Sequence, residues 1–226
     1  MQPEDIFIVM PAFNEGAAIG TVIAALLPHY PRVVVVDDGS RDRTAERALA
    51  AGATVLRHPL NRGQGAALQT GIRYAVDQGA RCVVTFDSDG QHRPEDIPRL
   101  VEPIAQGRAE IALGSRFLGT AGSVPLRRRL LLKGAVLFTR LTSGVALTDA
   151  HNGLRAFSRQ AADRIDIRLD RMAHASELID QIRRMGLPYE EVPVTVRYTD
   201  YSMAKGQRAS GAVKIVLDYF VGRILR

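Results

Sequence analysis

A chain of 226 residues, 46% hydrophobic and 24% charged, is long enough to bury one large core and is neither fibrous nor disordered in composition. Its single cysteine, Cys82, excludes an internal disulfide and reads as a small buried hydrophobe. The formal net charge of +6 rests mostly on arginine. That charge gathers where no acidic residue occurs between Glu110 and Asp149 but Arg116, Arg127, Arg128, Arg129, Lys133 and Arg140 all fall, which predicts an anionic partner.

In chain order, apolar runs at residues 6–10 and 33–36 read as buried parallel strands, with a helix over 17–27 between them. A helix over 42–51, a strand at 54–57, a helix over 65–78, a strand at 82–86, a helix over 94–106 and a strand at 111–113 continue the alternation. A further helix over 175–185 and a strand near 191–197 follow. Such alternation predicts an α/β fold, a three-layer α/β/α sandwich with a mostly parallel central sheet. One domain is expected over residues 1–210. Residues 211–226 form an amphipathic helix, suited either to packing on that domain or to a membrane interface. Residues 130–147 are the most apolar long stretch, but Lys133 and Arg140 interrupt it, so no membrane span is expected there. The opening MQPEDIF has no basic stretch followed by an apolar one, so a signal peptide is not expected either.

In parallel sheets ligands sit beyond the carboxyl ends of the strands. DSDGQ, residues 87–91, directly follows the strand at 82–86. Asp87 and Asp89 are two apart, so in extended backbone they point the same way and can share a divalent cation, with the amide oxygen of Gln91 as a further hard ligand. Oxygen donors of this kind suit Mg²⁺ or Mn²⁺. The run VVVVDDGSRDRT delivers Asp37 and Asp38 to the same edge, and Asp38 is the candidate to accept N–H groups of a nucleobase. PAFNE at 11–15 and NRGQGAA at 61–67 are loops that enter helices, the second glycine-rich but without the Lys-Ser or Lys-Thr of a P-loop. None of the five histidines shows metal-ligand spacing, and only His92 lies beside one of these loops.

These four pieces, PAFNE, VVVVDDGSRDRT, NRGQGAALQTG and DSDGQ, in this order and spacing, resemble the family 2 glycosyltransferases with the GT-A type, Rossmann-like fold. GSR at 114–116 and TDAHNGLRAF at 148–157 resemble the polyprenyl-phosphate glycosyltransferases, the group of dolichol-phosphate mannose synthase. The resemblance implies an inverting, metal-assisted transfer from a UDP- or GDP-linked sugar to a polyprenyl or dolichyl phosphate. It implies that Pro11, Ala12, Glu15 and Asp38 hold the nucleoside, and that Asp87 lies near the ribose or metal. Asp89 and Gln91 would bind the metal on the diphosphate. Arg116 and Arg128 would steer the acceptor, Arg155 in the motif at 148–157 would bind substrate, and Lys205 is placed in a loop near the diphosphate. Gln64 stands where the family often has lysine, and Asn152 where the subgroup usually has serine.

A hydroxyl acceptor would require a general base, whereas a phosphate is already anionic and needs cationic donors to position it. The residue just before Gly153 is Asn152, whose amide cannot take a proton. The competing expectation is a sugar-hydroxyl acceptor on a lipid-linked or polysaccharide glycan of the cell envelope, with Asp149 as base. A nucleotidyltransferase and a non-enzymatic basic module fit less well: the first lacks a glycine- and arginine-rich opening loop, and no nucleic-acid motif supports the second. The chain is therefore expected in the cytoplasm, peripherally on the inner face of the membrane.

Overall fold

The computed structural model describes residues 1–119, 147–149, 152–169 and 174–197. The strands are β1 (Ile6–Ala12), β2 (Arg32–Asp37), β3 (Thr54–Arg57), β4 (Cys82–Thr85), β5 (Ile111–Ser115), β6 (Arg155–Ser158) and β7 (Tyr189–Pro193). The helices are α1 (Ile19–Leu26), α2 (Thr44–Ala50), α3 (Gln64–Asp77), α4 (Ile97–Ala105), α5 (Arg159–Arg164) and α6 (His174–Met185). The strands form one sheet in the order β3-β2-β1-β4-β6-β5-β7.

Every residue of β1 is buried, and the period of two along a strand divides them between two cores. Ile6, Ile8, Met10 and Ala12 join Ile19, Ile23 and Leu26 of α1 and Ile97, Leu100, Val101 and Ile104 of α4. Phe7 and Val9 join Leu68, Ile72, Ala75 and Val76 of α3 and Leu178, Ile179 and Ile182 of α6. In α4 the spacing of the four apolar residues, i, i+3, i+4 and i+7, is what gives it a single buried face. The sandwich thus has α1, α2 and α4 on one side and α3, α5 and α6 on the other. Cys82 is buried in the first core, and burial pushes its thiol up to about 12.

Three elements depart from the sequence reading. β6 and α5 were not expected. Four residues, RAFS, are too few to show a period, and α5 is a short helix capped by Ser158, whose Oγ accepts the N–H of Ala161. β6 runs antiparallel between β4 and β5, so the start of β6, not its end, reaches the edge where the parallel strands finish. The last strand lies at Tyr189–Pro193, two residues before the expected start. Val192, Val194 and Val196 are alternately buried as the pattern required, but the ladder stops where β5 stops, with Pro193 opposite Ser115.

Gly71 explains how closely α3 lies on the sheet. A Cβ there would stand 3.1 Å from Val36 Cγ2 and closer still to Val9 Cγ1. Alanine normally favours a helix interior over glycine by about 1 kcal/mol. Here overpacking, at about 1–3 kcal/mol, outweighs that gain. Gly71→Ala is expected to lower the denaturant midpoint and Gly71→Val to lower it further. An unchanged midpoint in Gly71→Val would mean that α3 does not pack this tightly.

Candidate active site

β1 is flanked by β2 on one side and β4 on the other, all parallel, so the strand order reverses around it and a crevice opens at the carboxyl edge. Three loops close on this edge. Asn14 adopts φ 54, its N–H donates to Ser40 Oγ (2.9 Å) and its Oδ1 accepts Arg41 N–H (2.9 Å). The N–H groups of Glu15 and Gly16 donate to Thr44 Oγ1 (2.8 Å) and Asp42 Oδ2 (3.0 Å). Ser88 Oγ donates to the carbonyl of Pro11 (2.8 Å). Pro11, Ala12 and Glu15 are thereby fixed between the loop after β2 and the loop after β4.

Asp37 and Asp38 are both buried. Asp37 Oδ1 accepts Ser40 N–H (3.0 Å), and Oδ2 lies 3.2 Å from Arg57 Nε without a hydrogen bond of good geometry. Asp38 organises the following loop. Its Oδ1 meets His58 Nδ1 (2.7 Å) and Arg62 N–H (3.0 Å), and its Oδ2 accepts Asn61 Nδ2 (2.9 Å) and Gly63 N–H (2.6 Å). Four contacts use about all the lone-pair sites a carboxylate has.

After β4 the chain turns at residues 88 and 89 instead of running on extended, with Gly90 at φ 77. Asp87 and Asp89 nevertheless remain electrostatic neighbours. Burial and the charge of Asp87 push the Asp89 carboxyl above its usual range, and Glu15 adds to this against hydrogen bonding by Gln91 and the charge of His92. Gln91 donates to Asp89 through its backbone N–H (3.0 Å) and Nε2 (2.7 Å). Asp87 behaves in the opposite way. Burial raises its carboxyl, but the hydrogen bond from His92 Nε2 (3.0 Å), with the charges of His92, Arg155 and His174, holds it below the usual range. Gln64 Nε2 also donates to Asp87 Oδ1 (3.1 Å).

These donors fit a divalent cation. The pair Asp87 and Asp89 with Gln91 is oxygen-rich, and the raised Asp89 carboxyl records negative charge that a cation would relieve. Among the described residues no group of three or more His, Cys, Asp and Glu side chains is placed to hold a metal ion by itself. A hard cation is commonly held by one or two carboxylates together with phosphate and water oxygens.

On the far side of Asp87, the loop before β6 meets the end of β5. Arg116 donates to Asp149 Oδ2 through its backbone N–H (3.1 Å) and Nε (2.6 Å), and both side chains are buried. Asn152 Nδ2 lies 3.5 Å from the same oxygen. Residues 148 and 149 are tied to β7 by Glu191, which accepts both their N–H groups and the Thr148 hydroxyl.

A family model described as "Glycosyl transferase family 2" matches residues 7–166. The chain belongs to that family. Two relatives agree. UDP-N-acetylglucosamine--dolichyl-phosphate N-acetylglucosaminyltransferase of Methanococcus voltae is 33% identical over 97% of this chain and 98% of the relative. Polyprenol monophosphomannose synthase of Mycolicibacterium smegmatis is 32% identical over 88% of this chain and 79% of the relative. The crystal structure of glucosyl-3-phosphoglycerate synthase from Mycobacterium tuberculosis with Mn²⁺, UDP-glucose and phosphoglyceric acid superposes with a TM-score of 0.76. It is 24% identical over 95% of this chain and 77% of that one. This likeness shows the fold, the GT-A α/β fold expected of a family 2 glycosyltransferase.

Within this family 2 glycosyltransferase, Pro11, Ala12, Glu15, Asp38, Asp87, Asp89, Gln91, Arg116 and Arg155 all reach the carboxyl edge or the loops above it. Arg128, Lys205, the loop expected around it and the amphipathic helix expected over 211–226 lie outside the described residues. No described helix is long and apolar enough to cross a membrane. Sequence reasoning did not find that His174, at the start of α6, faces the charge of Asp87, nor that Gln64 touches it. A lone histidine before an amphipathic helix carries no spacing signal. Gln64 was noticeable only as a departure from the family's lysine.

Proposed function

We propose that the chain moves a sugar from a UDP- or GDP-linked donor to a polyprenyl or dolichyl phosphate, with inversion, at a membrane surface. The acceptor assignment rests on one observation: Asp149, the candidate base for a hydroxyl acceptor, is buried and committed to Arg116. A carboxylate oxygen already engaged by a guanidinium is not placed to receive a hydroxyl proton, whereas the arginine it fixes is what an anionic acceptor needs. The names of the two relatives support the same acceptor class.

In this reading Pro11, Ala12 and Glu15 line the nucleoside pocket, and Asp38 shapes its floor by holding the loop over 58–63. A base contact by Asp38 itself would have to displace one of those four contacts. Asp87, Asp89 and Gln91 would hold Mg²⁺ or Mn²⁺, which when bound supplies a Lewis acid against the charge of the leaving diphosphate. Arg116, with Arg128, orients the acceptor, and Lys205 is assigned to the diphosphate. One phosphate oxygen of the acceptor attacks the anomeric carbon as the bond to the nucleoside diphosphate breaks. The electron pair leaves on the diphosphate, and no proton has to be removed.

Asp149→Asn separates the two acceptor classes. With a phosphate acceptor, kcat is expected to fall by about ten-fold or less, because the charge that orients Arg116 is weakened, and the acidic limb of the pH–rate profile stays in place. Loss of a true general base costs about 10²–10⁴-fold and removes that limb. The second result, measured with saturating donor, would transfer the assignment to a hydroxyl acceptor.

A further inference from the structure

A string of charges crosses the sheet edge beneath the crevice. Asp87 lies at one end and Arg116, held by Asp149, at the other. Arg155 stands between them as the first residue of β6, opposite Thr85 of β4 and Leu113 of β5, and is 4% exposed. The chain just before it is pinned on both sides. Thr85 Oγ1 donates to the carbonyl of Gly153 (2.7 Å), Gly153 lies against the Asp87 carboxylate, and Asn152 Oδ1 accepts Leu154 N–H (3.0 Å).

We infer that Arg155 is a positioning residue that couples the donor-side carboxylate Asp87 to the acceptor-side Arg116 through Asp149. The inference rests on the proposed donor-side role of Asp87. A guanidinium this deeply buried is tolerated only where carboxylates compensate it. Burial pulls Arg155 down to about 10, and Asp87 and Asp149 are the two groups that oppose the fall. It therefore stays charged at neutral pH and is shared between the two halves of the site. At low effective dielectric such sharing is felt at both ends. Neutralising Asp149 turns the whole pull of Arg155 onto Asp87, which then competes less well for a cation. In the other direction, Arg155 would be drawn less to Asp87 and more to Asp149 if Asp87 held a cation, which would alter how firmly Arg116 is held. Arg155 thus acts from inside the sheet, through the two carboxylates.

The test contains no acceptor, so it does not depend on acceptor identity. Binding of UDP, and separately GDP, with Mn²⁺ is measured by calorimetry in the wild type, Asp149→Asn, Arg155→Met and the double variant. Asp149→Asn is expected to weaken Mn²⁺–nucleotide binding by about five-fold or more, and to have no effect once Arg155 is Met. If Arg155→Met does not fold, Arg155→Lys replaces it. A lysine point charge cannot face both carboxylates as the planar fork does, so the effect of Asp149→Asn should shrink. An Asp149→Asn effect of the same size with and without Arg155, or no effect in the wild-type background, overturns the coupling and leaves the donor site intact. No nucleotide binding in the wild type would overturn the donor reading and the coupling together.

Discussion

Asp89→Asn is expected to abolish sugar transfer while making the metal-free protein more stable at neutral pH. Loss of a group that stabilises leaving-group charge costs about 10²–10³-fold. The stability gain follows from the raised carboxyl of Asp89. In the folded chain this group binds its proton more tightly than in the unfolded chain. Stability therefore falls as pH rises from the ordinary carboxylate range, about 4, up through the folded value, and stays lowered above it. Asparagine removes that deficit and keeps one oxygen for the Gln91 N–H, at the cost of the bond that Gln91 Nε2 makes to the other oxygen. With chelator present, the melting temperature of Asp89→Asn should exceed that of the wild type at pH 7, and the difference should vanish toward pH 4. An active variant, or one with a lower melting temperature at pH 7, would separate Asp89 from metal binding and leaving-group stabilisation. Sites that hold unrelieved like charge for function commonly sacrifice stability in this way.

Gly153→Ala is expected to reduce kcat/KM by about a hundred-fold, because displacing a reacting group by about 1 Å has that effect. The glycine does not need an unusual backbone angle. It needs space: a Cβ would stand 2.6 Å from both Cγ and Oδ1 of Asp87 and closer still to Oδ2. Neither partner yields freely. The carbonyl of Gly153 is held by Thr85, and the Asp87 carboxylate by Gln64 and His92. The carboxylate must therefore rotate out of its hydrogen bonds, and donor binding should weaken along with turnover. Gly20→Ala serves as the control, since a Cβ at that position in α1 meets nothing within 4 Å. It should leave kcat/KM unchanged and slightly raise the melting temperature. Equal activity in the two variants would show that Gly153 only fills a loop.

The sheet and its edge were legible because β1, β2 and β4 are continuous apolar runs, the last two ending at aspartates and the first at Pro11, shortly before Asn14 and Glu15. That junction in the sequence is the carboxyl edge in the fold. What escaped was the half of the site that depends on pairing across long sequence separations. β6 is four residues long and runs against its neighbours, so no local period marks it, yet it brings Gly153 and Arg155 under Asp87. The aspartates illustrate the same limit. Asp37, Asp38, Asp87, Asp89 and Asp149 are chemically alike in sequence. Only their partners divide them: Asp38 is used up by a loop, Asp149 by an arginine, and Asp89 carries unrelieved charge beside Asp87.

The most direct measurement is transfer of radiolabelled sugar from a panel of UDP- and GDP-sugars, with Mn²⁺ or Mg²⁺, to a short polyprenyl phosphate and to the corresponding polyprenol. A phosphate acceptor predicts a chloroform-soluble product with the polyprenyl phosphate, none with the alcohol, and none from Asp89→Ala. Product on the alcohol, or on a sugar hydroxyl in place of the lipid phosphate, would contradict it and return Asp149 to the role of base.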